Sequence, residues 1–235
     1  MDISSTNLAS FLDLANHHAN ATPDDINSLC QKVIHYGFNS VFVNPYYVSL
    51  AKEVLGDKGR VGTVIAFPLG QERVDIKIAA IQKALTDNAD ELDISLNIGL
   101  IKAGLFEASA AEMRALVSQA KSFGKGKIVK FIIETGYLSV EEIAIISQHV
   151  LESGADFVKT TSGMGPRLPT IEDVEIIKRA TNGQIKIKVA GGIETRSQAI
   201  SFLEAGAVRI GTSHAVEIVQ QPQTDIPSRL SATSE

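Results

Sequence analysis

The sequence predicts an α/β fold, a closed (β/α)8 barrel of the TIM type in a single domain with a short N-terminal helix. Three observations support this. Eight short β-type runs recur at intervals of roughly 20 to 40 residues. Each is followed by a longer helical pattern, the count expected of this barrel. No linker or low-complexity tract interrupts 1–219, and only 220–235, "QQPQTDIPSRLSATSE", reads as a polar, loosely ordered tail. The competing architecture, an open doubly wound sheet, would leave a long strand series unclosed, and no G-x-G-x-x-G turn follows the first strand to support it.

The candidate strands are 11–15 (FLDLA), 40–44 (SVFVN), 61–67 (VGTVIAF), 91–96 (ELDISL), 127–133 (KIVKFII), 155–160 (ADFVKT), 185–190 (IKIKVA) and 207–211 (AVRIG). Helices between them announce their ends. Thr22 followed by Pro23 opens one that stops at Gly37. Ser139 opens another closing at Gly154, and Thr170 a third closing at Gly183.

Bulk composition narrows the function. The 235 residues are 44% hydrophobic and 21% charged, with a net charge of −5, which leaves no basic excess for nucleic acid. The one cysteine, Cys30, permits no internal disulfide and reads as core filler. No apolar run approaches the ~18 residues of a membrane span, and "MDISSTNLASFLDL" has no signal-peptide pattern, so a cytoplasmic protein that meets neither membrane nor nucleic acid is expected.

Alternation within the strands carries the chemistry. Barrel strands turn alternate residues to the helix layer and to the lumen. Glu91, Asp93 and Ser95 share one face of strand four, while Leu92, Ile94 and Leu96 share the other. Phe157 and Lys159 share a face, as do Lys186 and Lys188, Lys130 with Ile132 and Glu134, and Phe11 with Asp13 and Ala15. The apolar alternates suit the helix layer, so the charges should point inward and be paired. Asp93 is expected against Lys188, and Glu91 against Lys186 or Lys130 one layer down. Asp93, Lys159 and Lys188 end their strands at the C-terminal face, where barrel active sites lie. A lysine beside a second cation in a desolvated site loses its proton more readily and becomes a nucleophile, with the carboxylate moving protons; that is Schiff-base chemistry on a carbonyl.

Glycine and hydroxyl segments follow the last three strands: "TTSGMG" (160–165), "AGGIETRSQ" (190–198) and "GTSHAVEIV" (211–219). Gly191, Gly192 and Ser213 precede short helical patterns, whose amides would aim at an anion, so a phosphorylated small molecule is the expected ligand.

These segments resemble the deoxyribose-phosphate aldolase family. The stations are "LDLA" (12–15), "VNPYYVSLAKEVL" (43–55), "TVIAFPLG" (63–70), "ADELDISLNIG" (89–99), "VKFIIETGYL" (129–138), "GADFVKTTSGMG" (154–165), "KVAGGIET" (188–195) and "RIGTSH" (209–214). The resemblance implies reversible cleavage of 2-deoxy-D-ribose 5-phosphate to D-glyceraldehyde 3-phosphate and acetaldehyde, in deoxyribonucleotide catabolism, without metal or cofactor. It makes Lys159 the Schiff-base nucleophile, Lys188 the group that lowers its pKa, and Asp93 the proton relay. Asp13, Lys130 and Glu91 form a supporting polar network, and Ser162, Gly163, Gly191, Gly192, Ser213 and His214 fall at the phosphate. Relatives are often dimers, so a homodimer is the assembly it suggests. A class I aldolase for another phosphorylated sugar, or a non-catalytic phosphosugar-binding barrel, are the alternatives. The chain departs from the family pattern at "TTS" (160–162), at His214 in place of a second serine, at Asn16 near a missing threonine, and in a tail without a terminal tyrosine.

Overall fold

The computed structural model describes residues 8–124 and 126–222. Eight parallel strands close into a barrel in sequence order: β1 (Leu12–Asn16), β2 (Ser40–Val43), β3 (Arg60–Ile65), β4 (Glu91–Ser95), β5 (Ile128–Ile132), β6 (Phe157–Lys159), β7 (Lys186–Ala190) and β8 (Arg209–Thr212), with β8 pairing back onto β1. Each expected strand is present within one or two residues at either end.

The helices begin where the sequence signals them. Thr22, Ser139 and Thr170 each form a reciprocal capping box, with Asp25, Glu142 and Asp173 respectively. Each box satisfies otherwise orphaned amides at the start of a helix that packs an apolar stripe on the sheet. A fourth box, Thr195 with Gln198, opens Arg196–Ala205. Gly37 closes the Pro23–Tyr36 helix in the left-handed conformation, at φ 68°.

The hydrophobic core is the shell between strands and helices, built from residues such as Leu14, Val41, Leu92, Phe131, Val158 and Ile210. The buried charges Asp13, Glu91, Asp93, Lys130, Lys159 and Lys188 lie on the lumen side, with Phe42 and Phe157 packed among them, and that division places the site.

Two local expectations are corrected. Phe11 belongs to a 3-10 turn (Ala9–Phe11) ahead of β1 and not to the strand; helical Leu8 precedes it, and the rest of the expected N-terminal helix lies outside the described residues. Glu134 lies beyond the end of β5 with φ 51°, so strict alternation from Lys130 does not reach it. The predicted boundary between 219 and 220 falls inside the helix Ala215–Gln220, and 223–235 lie outside the described residues.

Candidate active site

Register brings the charges together. Across the β4–β5 ladder Asp93 sits opposite Lys130, and across β6–β7 Lys159 sits opposite Lys188. Directly opposed residues of a parallel pair project to the same side, so an Asp–Lys pair and a Lys–Lys pair face each other over the lumen. They meet at one carboxylate: Lys159 Nζ lies 2.8 Å and Lys188 Nζ 2.9 Å from the same Oδ2 of Asp93, while Lys130 Nζ takes Oδ1 at 3.0 Å. The expected Asp93–Lys188 pair is there, and the two ammonium heads are immediate neighbours.

A second tier supports the first. Lys188 also reaches Asp13 Oδ2 at 2.8 Å, and Oδ1 of Asp13 accepts from Ser40 Oγ, Asn39 Nδ2 and Arg209 Nη1 at 2.6, 3.0 and 2.9 Å. Glu91 pairs with Lys130 and has Arg209 and Arg60 at 3.7 and 3.6 Å.

Lys186, the alternative partner offered for Glu91, does not join the network. It is exposed, because it is the first residue of β7 at the open N-terminal mouth, and its ammonium lies 5.5 Å from the Phe157 ring centroid. Arg209 takes the inward place that alternation gave to Lys186.

Packing holds these heads still. Lys188 Nζ lies 3.5 Å from the centroid of the buried Phe42 ring, a desolvated cation–π contact. Space for this comes from two glycines. A Cβ on Gly211 would come within 2.9 Å of Lys188 Cε, and one on Gly62 within 2.2 Å of Phe42 Cζ.

Protonation follows from this geometry. Burial alone would raise the Asp93 carboxyl, but Lys130, Lys159 and Lys188 together hold it well below the usual carboxylate range. Burial would likewise raise Asp13, yet Lys188 and Arg209 lower it. Burial would lower Lys130, yet Asp93 and Glu91 hold it above the ordinary lysine value. Lys159 goes the other way. Burial first, with Lys188 adding to it, outweighs the attraction of Asp93 and brings its ammonium down to about 8.

Charge counting agrees. Setting aside the exposed Arg60 at the mouth, Asp13, Glu91 and Asp93 face Lys130, Lys159, Lys188 and Arg209, three negative charges against four positive. A neutral Lys159 removes the excess.

Above Lys159 and Lys188 opens a cavity of about 410 Å³ at the C-terminal face. Ser162, Gly163, Gly191, Gly192, Ser213 and His214 all line it, so the six residues expected around a ligand are gathered at one cavity. Gly163 and Gly191 have φ of 85° and 104° and nearly touch: a Cβ on Gly191 would lie 2.6 Å from Thr161 Oγ1 and 3.0 Å from the Cα of Gly163.

The wall meets a helix start at Ser213 and His214, which directly precede the helix Ala215–Gln220, but not at the two glycines. The helix after Gly191 and Gly192 starts only at Arg196, behind its own Thr195 cap. Several polar groups of the wall are also internally engaged. Ser162 N donates to Glu134 Oε2 at 3.0 Å, Ser162 Oγ accepts from Met164 N, and Gly163 N donates to Thr161 Oγ1. His214 does not cap the following helix by its side chain; Nδ1 lies 3.1 Å from Ser213 Oγ.

Sequence reasoning missed Arg209 and His17. Arg209 stood in an expected strand, and a third look at alternation there would have found it. His17 lies one residue past the end of β1, outside the expected strand, yet it keeps the parity of Asp13 and Ala15 and lines the cavity beside Phe67.

Residues 8–220 match the family model described as DeoC/LacD family aldolase. A deoxyribose-phosphate aldolase of Thermococcus gammatolerans is 44% identical, covering 91% of this chain and 95% of that protein. One of Caldicellulosiruptor saccharolyticus is 41% identical over 91% of this chain and 97% of its own. Among solved structures, the tetrameric deoxyribose phosphate aldolase of Aeropyrum pernix superposes with a TM-score of 0.86 at 29% identity, covering 92% of this chain and 91% of that one. With barrel, lysine pair and family model in agreement, the chain belongs to the DeoC/LacD aldolases, enzymes of the lyase class.

Proposed function

We propose that this enzyme cleaves 2-deoxy-D-ribose 5-phosphate reversibly to D-glyceraldehyde 3-phosphate and acetaldehyde through a Schiff base on Lys159. The observation that carries the reading is the pair of lysine heads on one oxygen of Asp93 at the floor of the cavity, one of them lowered to about 8. Near neutrality an appreciable share of Lys159 is the free amine, which an unperturbed lysine at about 10.4 would not supply.

Neutral Lys159 attacks C1 of the open-chain sugar, and loss of water leaves an iminium. The C3 hydroxyl then gives up its proton, the C2–C3 bond breaks, and its electron pair passes into the enamine as glyceraldehyde 3-phosphate departs. Protonation of C2 and hydrolysis release acetaldehyde and restore the amine. Asp93, bonded to both lysines, is the group through which these protons move, directly or by water. Lys188 keeps the nucleophile's pKa low, and Asp13, Lys130 and Glu91 hold Lys188 and Asp93 in place. Gly163, Gly191, Gly192, Ser162, Ser213 and His214 receive the phosphate at the rim. A place in deoxyribonucleotide catabolism, a cytoplasmic location and a homodimeric assembly accompany this reading. Among the described residues no helix is long and apolar enough to cross a membrane, which is consistent with that location.

Borohydride reduction in the presence of acetaldehyde, followed by peptide mass mapping, tests it. An ethyl adduct on Lys159 is expected; an adduct on Lys188, or none, would refute the assignment.

A further inference from the structure

The lumen face of β1 continues beyond the strand. Asp13 lies at the floor, and Ala15 and His17 both line the cavity above it. At about 3.3 Å per residue His17 leaves the backbone roughly 13 Å along the chain from Asp13, toward the rim. Its half-buried ring packs on Phe67 with centroids 5.3 Å apart, and the Phe67 centroid lies 5.9 Å from Lys159 Nζ. The imidazole therefore stands beside and above the amine.

The ring is a hydrogen-bonding group with capacity to spare. The Asn44 side chain is within hydrogen-bonding range, while Nδ1 is buried with no partner. Burial first, and then the Lys159 ammonium, push its pKa down to about 3, so the ring is neutral and offers one donor and one acceptor. Neighbouring cavity groups are already engaged: Thr212 Oγ1 donates to Ile193 O, and Ser162 Oγ accepts from Met164 N.

We propose that His17 is a specificity-determining residue whose imidazole hydrogen-bonds the C4 hydroxyl of the bound sugar phosphate. The inference rests on the Schiff-base reading above. With C1 on Lys159 at the floor and the phosphate at the glycine rim, the C3 oxygen has to face Asp93 below. C4 lies one carbon nearer the rim, at the level to which His17 projects. A neutral ring suits this role, because it binds a hydroxyl without adding a charge that would repel the iminium.

The test runs in the direction of synthesis, with acetaldehyde as donor and two acceptors, D-glyceraldehyde 3-phosphate and 3-phosphooxypropanal. The second lacks only the hydroxyl that becomes the C4 hydroxyl of the product. In His17→Leu the preference for the hydroxylated acceptor, as a ratio of kcat/KM values, should fall roughly three- to tenfold, the worth of one neutral hydrogen bond. His17→Gln should restore part of it, whereas a role in packing against Phe67 would affect both acceptors alike. A ratio that moves less than threefold in His17→Leu overturns the proposal. Acetaldehyde trapping on the wild-type enzyme separates the two failures. Trapping on Lys159 with an unmoved ratio sinks the role of His17 alone, and no trapping sinks the Schiff-base reading and this inference with it.

Discussion

The floor and the rim of the cavity are held by opposite means. At the floor, seven charged side chains on six strands are fixed by ladder register, and each carboxylate has more than one cation against it. At the rim, small residues in loops keep much of their hydrogen bonding among themselves, as Ser162, Gly163 and His214 show. The floor sets a protonation state, which needs rigid low-dielectric surroundings. The rim, in the function proposed above, fits its backbone around an anion, which needs absent side chains more than present ones. Perturbing the floor should therefore alter chemistry and pH dependence, and perturbing the rim should alter only the grip on phosphorylated substrates.

The largest effect belongs to the nucleophile. Lys159→Met should reduce turnover and imine trapping to background, read by borohydride labelling. It also has a thermodynamic signature. The folded pKa of about 8 lies below the ~10.4 of an unfolded lysine, so below pH 8 both states carry the proton and the folded state bears the full penalty of burying it. Between those values the unfolded chain binds the extra proton, and stability recovers as pH rises. The melting temperature of Lys159→Met relative to wild type should thus be most favourable near pH 7 and lose ground toward pH 10.

Asp93→Asn comes next. It leaves three lysine heads around a neutral amide, and a broken buried pair of this kind costs about 3–5 kcal/mol, measurable by denaturant unfolding. Turnover should drop further than the initial capture of acetaldehyde. Lys188→Leu removes one of the influences lowering Lys159, so the rising limb of the rate profile should shift to higher pH; an unmoved limb would transfer the whole depression to burial.

The rim variants are milder. Gly191→Ala places a Cβ 2.6 Å from Thr161 Oγ1 at φ 104°, strain worth roughly 1–3 kcal/mol. It should raise KM for the phosphorylated sugar while acetaldehyde trapping persists. Ser213→Ala, the smallest, should raise that KM by about fivefold, one hydrogen bond's worth. Should it lower kcat instead, the division between floor and rim would fail.

What the sequence could show follows the same line. Strand alternation and helix caps are local signals, and they located all eight strands, three helix starts and the inward Asp93, Lys159 and Lys188. Pairing is not local. Asp93 and Lys188 meet across the lumen from β4 and β7, and alternation fixes the face of a residue without its depth along the barrel axis. That gap misplaced Lys186, which has the right parity and the wrong end of its strand. The rim was legible as composition, since glycines and hydroxyls cluster there. Its hydrogen bonds were not, because loop conformations such as the left-handed Glu134 depend on tertiary contacts.

Gly211 and Gly62 do no chemistry, yet a single added methyl at either would crowd Lys188 or the ring beneath it. Their emptiness is a mould in which the ammonium is cast. An alanine at 211 would leave every reacting group in the chain and still detune the amine next door, so attempts to broaden this enzyme by reshaping its interior should spare those two vacancies before any polar residue.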